Sequence, residues 1–495
     1  MKTRATAYPV WNAFLPAPDS PLPLREQLLR FLRKGVAEGS LAAGVRLPAS
    51  RLLADELGVS RMTVTGVYEQ LIGEGFLEAR QGAGTYIAAR IDAPVPADLP
   101  SAHAALRGSQ RGRLLTGLDS MSLALPDWPL TPGLPALDAF PHAVWGKLEG
   151  RFWRNQAAAH SAYGDPQGLL SLGEALADYL GASRAIACRA DNIIITPGAQ
   201  AAVSIAALAI ADHGQQAWVE SPGYDATHRS LALAGLDSVG VPVDAQGLDV
   251  EAGRRLAPEA RLALVSPSHQ YPSGVTMSLE RRLALLKWAD QADAMILEDD
   301  YDSEFRYACA PTPALKALDA NHGRVIYIGT LSKLLIPGLR LGFLVAPDAW
   351  IDVLQRVRNG SGYRVPKALQ ATAAEFISQG HLGRHIRRAK ALYSERRDAL
   401  LAALASEAHG LLTVSNASTG LHLLGHLADS CDDQALTHAA RHRQIGAGAL
   451  SRLYVGHHSR VQQGLLLGFG NTPAGSMRGA VQTLCRLIDA QPGQR

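Results

Sequence analysis

Two bodies joined by a linker are what the sequence predicts: a small helical unit closed by a β-hairpin, and a larger α/β unit whose mostly parallel sheet is covered by helices. Three observations carry this. The 495 residues exceed what one hydrophobic core serves, so two or three domains are expected. From about residue 123 onward, short apolar β-branched runs alternate with helix-length stretches, the pattern of buried parallel strands and crossover helices. Residues 89–117 are dominated by Pro, Ala, Gly and Ser without an apolar period, and read as a flexible linker spanning roughly 30 Å.

Composition narrows the class before any motif is read. Apolar residues make up 47% and charged residues 19% of the chain, the balance of an ordinary globular protein. The net charge of +3 is too small by itself to signal a nucleic-acid partner. Residues 1–11 hold early charge but no apolar core segment, so no secretory signal is expected. The longest apolar stretch, near residues 201–211, is too short for a bilayer, so a cytoplasmic protein without a membrane partner is expected. The four cysteines, Cys188, Cys309, Cys431 and Cys485, are far apart and suit reduced thiols. The histidines, including His457-His458, lack ligand spacing, so no metal is expected.

In the small unit, residues 1–88, the elements follow one another closely. Residues 24–38 place Leu28, Phe31, Leu32 and Val36 on one helical stripe. Pro48-Ala49-Ser50 opens a second helix that Gly58 stops, and Ser60 caps a third over residues 61–72. Residues 75–87 read as a two-stranded wing turning at Gln81-Gly82-Ala83-Gly84. Helix, glycine turn and helix at this spacing make a helix-turn-helix, whose later helix enters the major groove of duplex DNA. The exposed start of that helix offers Ser60, Arg61, Thr63 and Thr65. Arg51 and the wing residues Arg80, Gln81 and Gly82 would meet backbone or groove, Gly82 allowing close approach to phosphate. Residues 1–90 hold eleven Lys and Arg against eight Asp and Glu, so the motif rather than the charge carries this expectation. A structural helical bundle, with Arg61 a solvated charge, is the competing reading.

The larger unit, residues 118–495, is expected to have a large lobe to about residue 365 and a smaller C-terminal α/β lobe from about 366. Strands are expected at residues 193–195, 216–219, 262–265, 294–297, 325–328 and 341–345. In the smaller lobe, a long charged helix over residues 384–404 precedes strands at 411–414, 420–424 and 464–469. Three of the large-lobe strands end in chemistry. The first runs through a Pro-Gly turn into an apolar helix, and Gly198, Ala199 and Gln200 offer its free N–H groups and positive dipole end to an anion. The strand over residues 294–297 ends in Glu298-Asp299-Asp300-Tyr301-Asp302, where α/β folds bind ligands; read alone, it suits a solvated acidic turn better. Residues 325–328 lead through Gly329-Thr330-Leu331-Ser332 to Lys333, with Arg340 seven residues on. That is the setting of a partly desolvated lysine that forms a Schiff base beside an anion site.

In this order the stretches resemble the MocR family of bacterial regulators, which join a GntR-type winged helix-turn-helix to a fold-type I aminotransferase-like domain. The small unit carries the resemblance in LPASRLLADELGVSRMTVTGVYEQLIGEGFLEARQGAGTYI. The large unit carries it in YGDPQGLLSL, ITPGAQAA, VESPGYDATHRSL, SPSHQYPSGVTMSLERRLALLKWA, LEDDYDSEFRY and GTLSKLLIPGLRLGFLVAP. The resemblance implies pyridoxal 5'-phosphate as cofactor and Lys333 as its Schiff-base residue. It implies that Asp299 pairs with the ring nitrogen, Tyr301 hydrogen-bonds the ring hydroxyl and Tyr224 stacks on the ring. Ala199, Gln200, Thr330, Ser332 and Arg340 would surround the phosphate. Tyr163 would reach the phosphate of the partner subunit in a homodimer, and the linker is long enough to put the DNA-binding unit over that partner.

Three departures from the pattern matter. Tyr271, in HQYPSG, stands where aminotransferases of this type usually carry Asn, a change MocR proteins often share. Thr65 stands where the winged-helix family often has a basic residue. In QGLLLGFG, Leu466 stands where the related enzymes hold an Arg that clamps the substrate carboxylate, and Leu cannot replace a bidentate clamp. The expected function is a pyridoxal-phosphate-dependent transcriptional regulator, not an enzyme, whose aminotransferase-like domain senses a small-molecule effector: the cofactor itself, or an amine or amino-acid adduct. The competing reading is a working aminotransferase with an accessory N-terminal domain.

Overall fold

The computed structural model describes residues 20–88, 127–160, 167–307, 312–319, 323–415, 418–456 and 461–491, with Phe14, Ser109, Gly112, Arg113 and Ala162. Tyr163, most of the linker 89–117, Cys309 and His457-His458 lie outside the described residues. The chain divides into two compact units, Met1–Leu106 and Arg107–Arg495.

In the first unit, α1 (Leu24–Ala37), α2 (Ser50–Leu57) and α3 (Arg61–Gly73) close around Leu28, Leu32, Leu53, Val64, Val67 and Leu71, none more than 1% exposed. Gly58 ends α2 in the left-handed conformation, φ 64°. The Ser60 hydroxyl accepts the Thr63 N–H at 3.1 Å and so caps α3. β1 (Leu77–Arg80) and β2 (Gly84–Ile87) pair antiparallel from Leu77↔Ile87 to Arg80↔Gly84, which leaves Gln81-Gly82-Ala83 as the wing tip.

The second unit holds an eight-stranded sheet of order β3-β10-β9-β8-β7-β4-β5-β6. Its strands are β3 (Ile193–Thr196), β4 (Gln216–Ser221), β5 (Asp237–Asp244), β6 (Gly247–Leu248), β7 (Leu262–Val265), β8 (Met295–Asp300), β9 (Val325–Thr330) and β10 (Gly342–Val345). From β5 through β4, β7 and β8 to β9 all pairings are parallel; β10 is antiparallel to both its neighbours, and β6 to β5. The intervening helices are α4 (His142–His160), α5 (Leu170–Arg184), α6 (Ala199–Ile210), α7 (Asp225–Ala234), α8 (Val250–Leu256), α9 (Leu279–Gln291), α10 (Leu315–Leu318), α11 (Asp348–Gly360) and α12 (Lys367–Ser378). Strand alternation divides the core. Leu264, Leu297 and Ile328 pack on α6 through Ala202, Val203 and Ala206, while Ala263, Ile296 and Val325 pack with Leu285, Leu286 and Trp288 of α9. Both faces of β3, β7, β8, β9 and β10 are therefore buried, which is why they read as unbroken apolar runs.

α13 (His381–Glu407) follows α12 and leads into a second sheet. This antiparallel sheet, of order β11-β12-β14-β13, comprises β11 (Thr413–Ser415), β12 (His422–His426), β13 (Gly448–Ala449) and β14 (Gly464–Gly468). Two helices, α14 (Asp433–Arg441) and α15 (Ala474–Asp489), complete it. No described helix is long and apolar enough to cross a membrane.

Candidate ligand site and nucleic-acid interface

The ends of β3, β8 and β9 bring the three chemistry-bearing stretches to one cavity of about 290 Å³. Ala199, Gln200, Tyr224, Asp299, Tyr301, Thr330, Ser332, Lys333 and Arg340 all line it.

The acidic run at the end of β8 is not a solvated turn. Successive strand residues face opposite ways, so Glu298 and Asp300 share one side and Asp299 takes the other. Glu298 accepts the Leu315 and Lys316 N–H groups at 2.8 and 2.7 Å. Asp300 meets Arg184 Nε at 2.9 Å and accepts the Tyr327 O–H at 2.9 Å. Asp299 is left to the cavity, 7% exposed, and its Oδ1 is buried without a hydrogen-bond partner. Burial, reinforced by Asp300 and Asp302, pushes its carboxyl up to about 7. A buried carboxylate oxygen with nothing to accept costs about 1–3 kcal/mol, the mark of a group waiting for a donor.

Lys333 follows β9 in a loop tied down by Leu331 N–H to Leu341 O at 2.9 Å and Leu335 N–H to Leu331 O at 2.8 Å. Its Nζ donates to the Gly133 carbonyl at 2.5 Å. Burial pushes its ammonium below the usual lysine range, opposed by Asp302 and Asp299. A lowered lysine is more often the neutral, nucleophilic amine.

The other end of the cavity is built for an anion. Gly198 caps α6 at φ 93°, and the first N–H groups of α6, at Ala199 and Gln200, have no acceptor within the helix. β10 approaches so closely that a Cβ on Gly342 would lie 2.7 Å from the Gly198 carbonyl carbon. Arg340 is exposed in the left-handed conformation, φ 48°, which costs a non-glycine residue about 1–3 kcal/mol. That geometry brings its guanidinium beside Gly198. Ser332 N–H donates to Thr330 Oγ1 at 3.1 Å, so the Thr330 hydroxyl also shapes the loop.

The rest of the wall includes Tyr271 and Asp302, and also residues to which the sequence assigns no role, among them Pro132, Gly133, Arg229, Leu421, His422 and Leu453. Arg229 is held by Asp225 at 2.9 Å, one helical turn away on α7. His422 donates its Nε2–H to the Pro272 carbonyl at 3.1 Å, and burial pushes its imidazole down to about 4. Leu466 is 1% exposed and packs with Leu424, Leu450, Leu453, Tyr271 and Tyr454. Leu466, expected from the sequence to replace a carboxylate-clamping Arg, lies in an apolar cluster that shares Leu453 and Tyr271 with the cavity wall.

In the small unit, the residues proposed for DNA divide by what already occupies them. Ser60 and Thr63 satisfy each other at the α3 cap, their hydroxyl oxygens 2.8 Å apart. Arg80 bonds Glu78 through Nε at 2.8 Å and lies over the Tyr86 ring at 4.3 Å. Arg51, Arg61, Gln81 and Gly82 are exposed, and Thr65 is half-buried. Met62, which sequence reading passed over, is 84% exposed beside Arg61.

Comparison with known proteins divides the chain in the same way. Residues 24–87 match the bacterial regulatory proteins of the gntR family, and residues 136–460 match the class I and II aminotransferases. Over 467 residues the chain is 36% identical to the probable rhizopine catabolism regulatory protein MocR of Rhizobium meliloti, covering 94% of each. Over 461 residues it is 33% identical to the HTH-type pyridoxine biosynthesis transcriptional regulator PdxR of Corynebacterium glutamicum, covering 93% of this chain and 95% of that one. Among solved structures it is similar to Pyrococcus horikoshii kynurenine aminotransferase in complex with PMP, at 27% identity and a TM-score of 0.67, over 78% of this chain and 95% of that one. An archaeal alanine:glyoxylate aminotransferase gives 26% identity and a TM-score of 0.69, over 78% and 96%.

Proposed function

The chain belongs to the MocR-type transcriptional regulators, which carry a GntR DNA-binding domain ahead of an aminotransferase-like domain, and on that premise we propose that its cavity holds pyridoxal 5'-phosphate as a sensing element. The observation that carries this is the buried Asp299 Oδ1 without a partner, facing the same cavity as Lys333 and the anion-binding start of α6. When bound, the cofactor supplies an aldehyde and an electron-withdrawing ring. Lys333 offers the amine that bonds it, Asp299 holds a proton at the ring nitrogen, and Tyr301 faces the ring hydroxyl. Tyr224 covers the ring, while Arg340, Ser332, Thr330 and the Ala199 and Gln200 N–H groups hold the phosphate. A homodimer in which the partner's Tyr163 completes the phosphate site, with the DNA-binding unit set over the partner subunit, belongs to the same reading.

The effector class follows from what the wall offers. Among the described lining residues, Arg229 is engaged by Asp225, His422 is neutral, and Arg340 and Lys333 serve the cofactor. Among the described lining residues no further cation waits for a carboxylate, while Tyr271, Leu421 and Leu453 present neutral surface. The effector is therefore an amine without a carboxylate, or the cofactor itself. The test is absorbance and DNA affinity followed together during titration with pyridoxal phosphate and then with alkyl and aromatic amines. Neither moving would sink the proposal.

DNA recognition is assigned to the start of α3. Arg61→Ala is expected to weaken binding to the protein's own promoter region by about 1–3 kcal/mol in a gel-shift, the cost of one base-reading pair. Thermal stability should stay unchanged, because Arg61 is exposed and makes no described hydrogen bond or ion pair. Ser60→Ala is the contrast: it removes the α3 cap and is expected to cost about 1 kcal/mol in denaturation. DNA binding indifferent to Arg61→Ala would remove α3 as the reader.

A further inference from the structure

His269, Asp302 and Tyr301 meet at one wall of the cavity, brought together from two segments of the chain. His269 Nδ1 lies 2.7 Å from Asp302 Oδ1 and 3.1 Å from the Tyr301 hydroxyl oxygen. The His269 and Asp302 side chains are 3% and 1% exposed. Tyr301 and Asp302 line the cavity; His269 stands behind them.

We propose that His269 and Asp302 are positioning residues that aim the Tyr301 O–H into the cavity, onto the ring oxygen of bound pyridoxal phosphate. The proposal rests on the cofactor reading above and goes beyond it by naming what sets the tyrosine. A carboxylate only accepts, so the imidazole nitrogen facing Asp302 carries a proton. That same nitrogen faces the Tyr301 oxygen, which accepts a share of the N–H and keeps its own proton for the cavity. An unprotonated Nδ1 would instead take the tyrosine proton and turn it away from the ligand. Through His269, Asp302 thus selects one of two orientations of the Tyr301 hydroxyl.

The imidazole is fixed where this requires. A Cβ on Gly420, whose φ is +78°, would lie 1.9 Å from His269 Cε1, so only glycine leaves the ring its place. The His422 ring stands 5.7 Å from it, and its Nε2–H is spent on Pro272 O, so it does not compete for Asp302. The titratable groups around the Tyr301 hydroxyl are Asp302, Tyr271, Asp299 and Glu220, with His269 behind it and Lys333 and His422 on the adjoining wall.

The experiment is a pH titration of the absorbance of the full-length protein loaded with pyridoxal phosphate. A donor on the ring oxygen favours the form with more negative charge there and so lowers the midpoint. Tyr301→Phe is expected to raise the midpoint by about one pH unit. His269→Leu should raise it as well, and the double variant should rise no further than Tyr301→Phe alone, because both act through one proton. His269→Asn keeps an N–H near the Nδ1 position and should stay close to wild type. If His269→Leu does not fold, Asp302→Asn replaces it, and its shift must shrink when Tyr301 is Phe. A His269→Leu midpoint equal to wild type, or shifts that add in the double variant, would overturn the proposal. A wild-type protein that shows no lysine-bound absorbance at all would sink the cofactor reading, and this proposal with it.

Discussion

A Lys333→Ala protein is expected to lack the lysine-bound absorbance that the wild type keeps after excess pyridoxal phosphate is removed, and borohydride reduction of the wild type should mark Lys333. The effect is all-or-none because no other lysine lines the described cavity. The amine is already prepared: burial lowers it, so at neutral pH a larger share is the free nucleophile than for a solvated lysine. Weak non-covalent uptake through Arg340 and the start of α6 should survive, since the anion end does not depend on Lys333. The fold should survive as well. The substitution leaves the Gly133 carbonyl without its donor, a loss of about 1–3 kcal/mol if it stays dry, and removes the cost of a buried amine. A labelled peptide elsewhere in the chain would refute the assignment.

What could be read from the sequence, and what could not, follows the range of the forces involved. β3, β7, β8, β9 and β10 are buried on both faces, so each announces itself as an apolar run. β5 went unread because it is only patchily buried and contains Gly240 and Pro242, and β6 and β13 are two residues each. The ligand-site residues were legible where one short segment holds both the strand end and its side chain, as with Asp299 and Lys333. Read alone, Glu298-Asp299-Asp300 suited a solvated turn; Arg184, Tyr327 and the start of α10 bury its flanks, and none of these is near it in sequence. Gly133 meets Lys333 across 200 residues, and His422 reaches the wall from the smaller lobe, so only the fold discloses them. On α3 the sequence marked the right surface but not its occupancy: a hydroxyl at a helix start both caps and is exposed, and Ser60 spends its hydroxyl on the cap.

Steady transamination is expected to be absent, with no amino acid and oxo-acid pair sustaining product at about 1 per second, an ordinary enzymatic rate. An amino-acid substrate brings a carboxylate that must leave water, and without a bidentate partner that desolvation is uncompensated. At the position expected to carry the clamping Arg stands Leu466, 1% exposed among Leu424, Leu450 and Leu453. Arg229 could serve only by breaking its 2.9 Å contact with Asp225. An amine lacking a carboxylate escapes this penalty, and against Leu421, Leu453 and Tyr271 it gains from burying apolar surface. Its effect on transcription requires that it favour one arrangement of the protein over another, since equal affinity for two states shifts neither. The expected coupling is about 1–3 kcal/mol, so a saturating amine should change DNA affinity roughly 5- to 150-fold. The assay follows absorbance, product and DNA affinity together across amines and amino acids with an oxo-acid acceptor. An absorbance change and altered DNA affinity without product fits a sensor. Sustained product would make this an enzyme, and a Lys333→Ala protein that still answered the amine on DNA would move the sensing element out of this cavity.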